Sequence, residues 1–180
     1  MWITYNDFKG IKLNDLPNFF TDKITHCSGN DLNSLKIADL IFKDQELIIN
    51  GIGLYIFYKV NQEKPFLYVG KCSSRHFIER ISSHFDPRLN GWFNSFLKTL
   101  MKNENLKSDI EKQRFINKKI SEIFSSNSGY KIGLIEVPSD FKAKSIEKIE
   151  SILRFILEPI NKKKKGPDKN ITLADVLNEM

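Results

Sequence analysis

Cysteine is scarce in this chain, with only Cys27 and Cys72 among 180 residues. The two are far apart and form no CxxC pair, which excludes a zinc finger or zinc ribbon. A disulfide between them is not expected, so we predict a reduced, cytoplasmic protein. Long apolar runs are also missing, since none approaches the roughly 18 residues of a membrane span. The first residues lack the basic and apolar regions of a signal peptide, and we expect no membrane partner.

Acidic residues are outnumbered by basic ones, 22 Asp and Glu against 28 Lys and Arg, which gives a net charge of +6. This excess favours a polyanionic partner such as nucleic acid, although many basic proteins bind none. A length of 180 residues with 41% hydrophobic content suits one soluble domain with a single core. The composition therefore favours a small globular protein with a basic surface.

Aromatic and β-branched residues predict a β-hairpin in the first half of the chain. Residues 53–60 and 66–70 carry the two strand patterns, and a polar turn joins them. A third strand is predicted at 130–137, ended by Pro138. Because these strands are separated by helical patterns, we predict an α+β fold with a small central antiparallel or mixed sheet of about three strands, flanked by helices.

Apolar residues at helical spacing predict a series of helices after the hairpin. Ser74 is expected to cap the first of them, which runs to about Phe85. The others are expected at 92–100, 116–124, 143–157 and 172–180.

The chain is expected to have three parts. Residues 1–50 would form an N-terminal extension packed on the core, and their Gly and Pro breakers predict irregular structure to about residue 32. A short helix at 33–42 and a strand from 47 would follow. The other two parts are a core at 51–166, with a helical insert at 89–128, and a short C-terminal helix at 167–180.

Two tyrosines lie on neighbouring strands of the predicted hairpin, Tyr55 in the tripeptide Gly-Leu-Tyr and Tyr68 in Tyr-Val-Gly. A strand tyrosine is commonly a packing residue with a polar end. The two phenols could act together only if both reach the same face of the sheet. That depends on a hairpin register that the sequence leaves open.

Arg80 and His84 are four residues apart and share one face of the predicted helix, beside its apolar stripe of Phe77 and Ile81. Arg80 suits either a structural cation whose stem covers the core or a bidentate clamp for phosphate oxygens. A lone histidine is more often structural than catalytic. His84 gains interest from its place near an arginine and two phenols.

Two carboxylates compete for a functional role on the helix at 143–157. Glu150 falls at the margin of the apolar stripe, whereas Glu147 points further outward. A carboxylate at a buried margin is costly unless it is paired or holds a cation. Glu150 is therefore the better candidate for a metal ligand, and its oxygen ligands suit Mg²⁺ or Mn²⁺ rather than Zn²⁺. The alternative is a salt bridge to Arg154.

Taken in order, these residues resemble the motifs of the GIY-YIG nuclease family over most of residues 51–161. The most specific part is Tyr68-Val-Gly-Lys71 followed by Arg80-Ile-Ser-Ser-His-Phe85. Glu150 then comes ahead of Pro159 and Asn161, although Asn161 is slightly early. The departures are Leu54 in place of Ile, a longer loop before Arg80 that makes Arg75 a nominal rival, and the length of residues 89–128.

The resemblance implies a divalent-metal-dependent DNA endonuclease. Tyr55 and Tyr68 would line the site, and one of them would activate the attacking water with His84 as a helper. Arg80 would stabilise charge on the scissile phosphate, Glu150 would hold a single Mg²⁺ or Mn²⁺, and Lys71 would polarise water or contact the phosphate. The residues expected to contact nucleic acid are Lys71, Asn161, Lys162, Lys163 and Lys164, of which the last three belong to a basic run of a kind that is usually only solvated.

The short length of the chain narrows the biological role. It leaves no room for a tethered recognition domain, and the cysteines of a zinc-binding domain are missing, so a type II restriction or other defence nuclease fits best. A palindromic DNA site would require a homodimer, because each active site cuts one strand. The alternatives are a catalytically inactive DNA-binding module on the same fold, or a protein-interaction domain that uses the Phe-rich insert.

Overall fold

The computed structural model describes residues 1–25, 51–91, 94–125 and 128–178. The helix expected at 33–42 and the strand expected from 47 fall outside these residues. The strands are β1 (Trp2–Thr4), β2 (Gly53–Lys59), β3 (Phe66–Cys72) and β4 (Tyr130–Glu136). The helices are α1 (Leu16–Thr25), α2 (Phe77–Ser82), α3 (Ser95–Met101), α4 (Asp109–Phe124), α5 (Ala143–Ile156) and α6 (Leu173–Asn178).

One four-stranded mixed sheet, in the order β1-β4-β2-β3, forms the centre of the fold. β2 is antiparallel to both of its neighbours, and β1 pairs in parallel with β4. The α+β class and the hairpin are confirmed, but the expectation of about three strands is wrong because β1 adds a fourth. A strand of three residues is too short to show an alternating pattern, and its partners, Leu134–Glu136, are distant in sequence.

The N-terminal segment is more regular than its composition predicts. Helix α1 begins at Leu16 and includes Pro17, which the sequence pattern marks as a breaker. Proline is tolerated in the first turn of a helix, because the backbone N–H that it lacks has no partner there. The apolar residues of α1 are buried in the core: Leu16, Phe20 and Ile24.

The side chains of the sheet alternate between two cores, one on each face, as a period of two requires. The expectation of a single core is therefore wrong, because helices cover both faces of the sheet. Leu54, Ile56 and Tyr58 of β2 face a core shared with α1, α5 and α6, here called the α5 side. Tyr55 and Phe57 face a second core shared with α2, α3 and α4, here called the α3 side. β3 is the last strand in the order, so residues of the two sides can meet at its edge.

Helix α2 begins later than predicted. His76 rather than Ser74 is its N-cap residue, and the Glu79 carboxylate accepts a hydrogen bond from the His76 backbone N–H at 3.2 Å. The helix then tightens into a 3₁₀ turn at Ser83–Phe85. The segment expected as one helix from Ser74 is therefore a loop, a short α-helix and a 3₁₀ turn.

The remaining helices overlap their predicted positions, with shifted ends. α4 begins at Asp109 with Ser108 as its N-cap, well before the predicted start at 116. α3, α5 and α6 each overlap the predicted range. None of the described helices is long and apolar enough to cross a membrane.

The chain that follows α5 returns along the outer edge of β3. The Ile160 backbone N–H donates to the Leu67 carbonyl at 3.0 Å. The Asn161 side-chain amide then pairs with both backbone groups of Val69, accepting from its N–H at 3.2 Å and donating to its carbonyl at 2.8 Å. This contact covers part of the edge strand and ties it to the end of α5.

Candidate active site

A cavity of about 300 Å³ opens beside the end of β3. Because β3 is the last strand of the sheet, side chains from both sides reach this cavity. Four of the candidate residues are in its wall: Tyr68 and Lys71 from β3, Arg80 from α2 and Glu150 from α5. The complete wall consists of Tyr68, Gly70, Lys71, Cys72, Ser73, Ser74, Arg75, Arg80 and Glu150.

The hairpin has the register that puts both phenols on one face of the sheet. Tyr55 pairs with Gly70, and Phe57 pairs with Tyr68, so Tyr55 and Tyr68 are diagonal neighbours on the α3 side. Their rings are stacked, with centroids 6.4 Å apart and planes 20° from parallel. Of the two, Tyr68 lines the cavity, whereas Tyr55 is fully buried.

Gly70 is required at its position because the Tyr55 ring lies against its Cα. A Cβ atom at residue 70 would overlap the ring and the hydroxyl of Tyr55. No larger residue fits here unless Tyr55 moves. The glycine of the Tyr-Val-Gly motif thus makes room for a phenol on the neighbouring strand.

His84 is fully buried against both phenols. Its Nε2 atom is hydrogen-bonded to the Tyr55 hydroxyl, and its Nδ1 atom accepts the Phe96 backbone N–H at 3.1 Å. Its ring centroid lies 5.5 Å from that of Tyr55 and 5.1 Å from that of Tyr68. Burial and the nearby charge of Arg80 lower the pKa of His84 from 6.5 to about 3, so the ring is neutral at physiological pH.

The Arg80 guanidinium provides positive charge beside the phenols. Burial raises the pKa of Tyr55 and of Tyr68, and the charge of Arg80 opposes that increase in both. The Nη1 atom of Arg80 also donates to the Ser83 hydroxyl at 3.4 Å. Arg75, the nominal rival, lines the same cavity from the exposed loop before α2. The wall therefore contains two arginines, one on a helix and one on a loop.

Glu150 reaches the cavity from the α5 side. Its side chain is 13% exposed, against 64% for Glu147, which agrees with the helical pattern that separates the two. Nη1 of Arg154 lies 3.7 Å from Oε1 of Glu150, so the ion pair considered as an alternative is present. Burial raises the pKa of Glu150, and the charges of Arg154 and Lys71 offset part of that increase.

Lys71 lines the cavity but belongs to the opposite face of β3 from Tyr68. The two residues are an odd number of positions apart, so Lys71 points to the α5 side. There its ammonium group pairs with the Glu147 carboxylate at 3.2 Å. In this geometry the Lys71 ammonium group lies with the carboxylates of α5.

The expected nucleic-acid contacts after α5 are of two kinds. The side-chain amide of Asn161 is hydrogen-bonded to the backbone of Val69. The backbone carbonyl of Asn161 accepts a hydrogen bond from Arg154 Nε at 2.6 Å. Asn161 therefore joins the strand and the helix of the site, and its amide serves the protein backbone rather than a ligand. The other residues are exposed on the surface: Lys162, Lys163 and Lys164.

Sequence patterns alone do not point to Ser95, whose hydroxyl lies near Tyr68 and lowers the pKa of that phenol against the larger effect of burial. Ser95 and Phe96 begin α3, so this helix contacts one phenol directly and the other through His84. These contacts join residues that are separated in sequence, and no motif spacing signals them. The helical insert at 89–128 is thus part of the candidate site.

Among the described residues, no group of three or more His, Cys, Asp or Glu side chains is placed to hold a metal ion. A cation at the cavity would therefore take its protein ligand from Glu150, with waters and substrate oxygens around it. Comparisons with protein-family models, curated proteins and solved structures find no match for this chain.

Proposed function

We propose that this protein is a divalent-metal-dependent DNA endonuclease of the GIY-YIG type, which hydrolyses phosphodiester bonds. One observation carries the proposal: Tyr68, Arg80 and Glu150 meet at one cavity, although they lie on a strand and two helices from different parts of the chain. The order of these residues along the chain also follows the motif order of the family that they resemble.

Arg80 is suited to hold the scissile phosphate. Hydrolysis adds negative charge to the phosphate in the transition state, and preorganised donors aimed at that charge lower the barrier. A guanidinium stays charged and offers paired N–H donors that match phosphate oxygens. The Ser83 hydroxyl steadies this guanidinium through Nη1.

Glu150 is suited to hold one divalent cation, Mg²⁺ with Mn²⁺ as a substitute. Its partly buried carboxylate carries a desolvation cost that a cation would offset. Mg²⁺ commonly binds through one or two carboxylates and keeps several waters, so a single protein ligand fits it. When bound, the cation supplies Lewis acidity to a phosphate oxygen and lowers the pKa of a coordinated water. Arg154, 3.7 Å away, helps to orient the carboxylate.

Tyr68 is the phenol suited to orient the attacking water, because it lines the cavity. A phenol with an ordinary pKa of about 10 is a weak base at neutral pH. Burial raises the pKa of Tyr68 above that value, an effect that the charge of Arg80 opposes and the charge of Glu150 reinforces, so the phenol is neutral at physiological pH. The oxygen of this neutral phenol can accept a hydrogen bond from the water, and so orient it, while Arg80 holds the phosphate.

Basic residues near the cavity would contact the DNA backbone. Lys71 is part of the wall, and the exposed run Lys162–Lys164 follows the helix that carries Glu150. Contacts between lysine and phosphate are salt-dependent and carry no sequence information. We propose a restriction or other defence role, with a homodimer if the DNA site is a palindrome.

Plasmid cleavage tests the nuclease proposal. We expect the wild-type protein to nick or cut plasmid DNA with Mg²⁺ or Mn²⁺ and not with EDTA. Arg80→Ala should lower the rate by about 100-fold or more, because it removes donors to the charge of the transition state. Arg114→Ala, an exposed arginine on α4, is the control and should change the rate by less than about threefold.

Two results would reject the nuclease proposal: no metal-dependent cutting by the wild type, or full activity in Arg80→Ala. DNA binding without cutting would support the inactive binding module instead, and neither activity would support the protein-interaction domain. Sequencing the product ends would then separate a restriction enzyme, which cuts at a defined site, from a general nuclease, which leaves scattered ends.

A further inference from the structure

His84 makes two hydrogen bonds whose directions follow from their partners. The backbone N–H of Phe96 can only donate, so the Nδ1 atom that it contacts at 3.1 Å is an acceptor and carries no proton. A neutral imidazole has one proton on its two nitrogens. The proton of His84 is therefore on Nε2, the atom that contacts the Tyr55 hydroxyl.

The Tyr55 oxygen is thus the acceptor in the bond between the two side chains. Tyr55 cannot pass its proton to His84 through this bond, because Nε2 is already protonated. The other ring nitrogen is occupied by the Phe96 N–H on the far side of the ring. This arrangement excludes the simple role in which His84 is the base that ionises Tyr55.

The surroundings of His84 favour the same protonation state. The charged and titratable groups that face it are Arg80 from its own segment, Tyr55 from β2 and Tyr68 from β3. From α3 it receives the Phe96 amide. A second proton would break the bond to that amide and bury a cation near Arg80, which is unfavourable in the absence of a counter-charge.

We propose that His84 is a positioning residue that acts through Tyr55. The first turn of α3 locks its neutral ring with the proton on Nε2, and the ring donates that N–H to the Tyr55 oxygen. The donated bond fixes the Tyr55 phenol and directs its own O–H away from the histidine. Because the Tyr55 ring is stacked on Tyr68, the phenol that lines the cavity, fixing Tyr55 also helps to fix Tyr68. The catalytic consequence rests on the proposed nuclease function, whereas the position of the proton rests on geometry alone.

Nitrogen-15 NMR of the histidine rings tests the position of the proton in the wild-type protein, whether or not it is active. We expect His84 to show a protonated Nε2 and an unprotonated Nδ1, without titration, from about pH 5 to about pH 9. The ring signals that disappear in His84→Gln belong to His84. As a second assignment, the double variant His26→Gln, His76→Gln should lose the signals of the other two histidines and keep only those of His84. A proton on Nδ1, or titration of His84 in that range, would overturn the inference.

Two amide substitutions separate the two hydrogen bonds. His84→Gln places an amide nitrogen near the position of Nε2 and can donate to Tyr55, whereas His84→Asn places an amide oxygen near Nδ1 and can accept from Phe96. Neither side chain titrates. We expect His84→Gln to keep DNA cleavage within about tenfold of the wild type and His84→Asn to lose about 100-fold. Equal losses in two folded variants would contradict a role that runs through Tyr55.

The failure of this inference and the failure of the nuclease proposal give different results. If the wild type does not cut DNA, the nuclease proposal fails, and the NMR measurement still decides where the proton of His84 lies. If the wild type cuts DNA and His84 carries its proton on Nδ1, this inference alone fails.

Discussion

The two sides of the sheet hold their parts of the candidate site by different interactions. On the α3 side, Tyr55, Tyr68 and His84 are almost completely buried and pack ring against ring, with centroids between 5.1 and 6.4 Å apart. The Phe96 backbone N–H, in the first turn of α3, holds this cluster through its hydrogen bond to His84. A buried hydrogen bond is costly to leave unmade, so we infer that this half keeps one geometry with or without substrate.

On the α5 side, the corresponding groups are charged and closer to water. Lys71 pairs with Glu147 at 3.2 Å, and Glu150 lies 3.7 Å from Arg154. Ion pairs in contact with solvent contribute little stability, so these groups can exchange partners at low cost. Under the proposed function, a phosphate would replace Glu147 at Lys71, and a cation would bind Glu150 beside Arg154. One side of the sheet thus supplies a fixed shape, and the other supplies exchangeable charge.

The largest effect is expected from Gly70→Ala, which crowds the buried half. Its Cβ would overlap the Tyr55 ring, and we expect the free energy of unfolding to fall by about 3 kcal/mol, as in an overpacked core. Cleavage should be lost because Tyr55 is displaced. Urea unfolding and plasmid cleavage measure the two effects. Gly10→Ala is the control, since its Cβ would meet nothing within 4 Å, and equal results for the two variants would contradict the close contact of Gly70 with Tyr55.

The two phenols should respond differently when each loses its hydroxyl. Tyr55→Phe leaves the buried Nε2 of His84 without its partner, which should lower the free energy of unfolding by about 1–3 kcal/mol. Tyr68→Phe, at the cavity wall, should lower the free energy of unfolding by less than about 1 kcal/mol. It should reduce the rate of DNA cleavage by about 100-fold. Urea unfolding and cleavage rates of both variants check this. A larger stability loss in Tyr68→Phe would reverse the assignment of the two roles.

Asn161→Ala cuts the connection between the edge strand and α5. It removes both hydrogen bonds to Val69, and we expect the free energy of unfolding to fall by about 1–2 kcal/mol. Cleavage should fall by roughly tenfold, because Glu150 is then held less accurately relative to β3. Lys162→Ala, next to it and exposed, should stay within about 0.5 kcal/mol of the wild type. If urea unfolding finds the two variants equally stable, the hydrogen bonds between Asn161 and Val69 do not stabilise the fold.

The smallest effect is expected on the α5 side, where Glu150 should change how the stability of the fold depends on pH. Burial is the largest cause that raises the pKa of Glu150 in the folded protein, so folding favours its protonated form. The stability that protonated Glu150 contributes is fully present below the pKa that Glu150 has in the unfolded chain. That stability is lost as the pH rises through the higher pKa of Glu150 in the folded protein. In EDTA, the Tm of Glu150→Gln should therefore rise relative to the wild type as the pH increases from about 4 to about 7. A relative Tm that falls over this range would mean that the carboxylate is well paired.

Elements of the fold could be predicted where their sequence pattern is local. The hairpin alternates over two strands, and α5 presents a continuous apolar stripe ended by Pro159, so both are visible in a short window. β1 could not be predicted, because its three residues are held by a parallel pairing with Leu134–Glu136 near the other end of the chain. Pro17 was misleading because proline both breaks helices and starts them.

Within the site, the sequence could predict only features that depend on a single helix or strand. Helical periodicity separates Glu150 from Glu147, since their burial follows from their positions on one helix. The facing of Tyr55 and Tyr68 depends on a register that the sheet sets as a whole. The contacts of Lys71 with Glu147 and of Ser95 with Tyr68 join separate elements, and their positions are set by tertiary packing that leaves no mark in motif spacing.

Metal-dependent cleavage by a pair of variants on one helix tests the central claim most directly. With Mg²⁺ and plasmid DNA, Glu150→Gln should lose about 100-fold or more of the wild-type rate, because it removes the carboxylate proposed to hold the cation. Glu147→Gln, three residues earlier and mostly exposed, should stay within about threefold. Wild-type rates in Glu150→Gln, or equal losses in both variants, would contradict a nuclease site at the edge of β3.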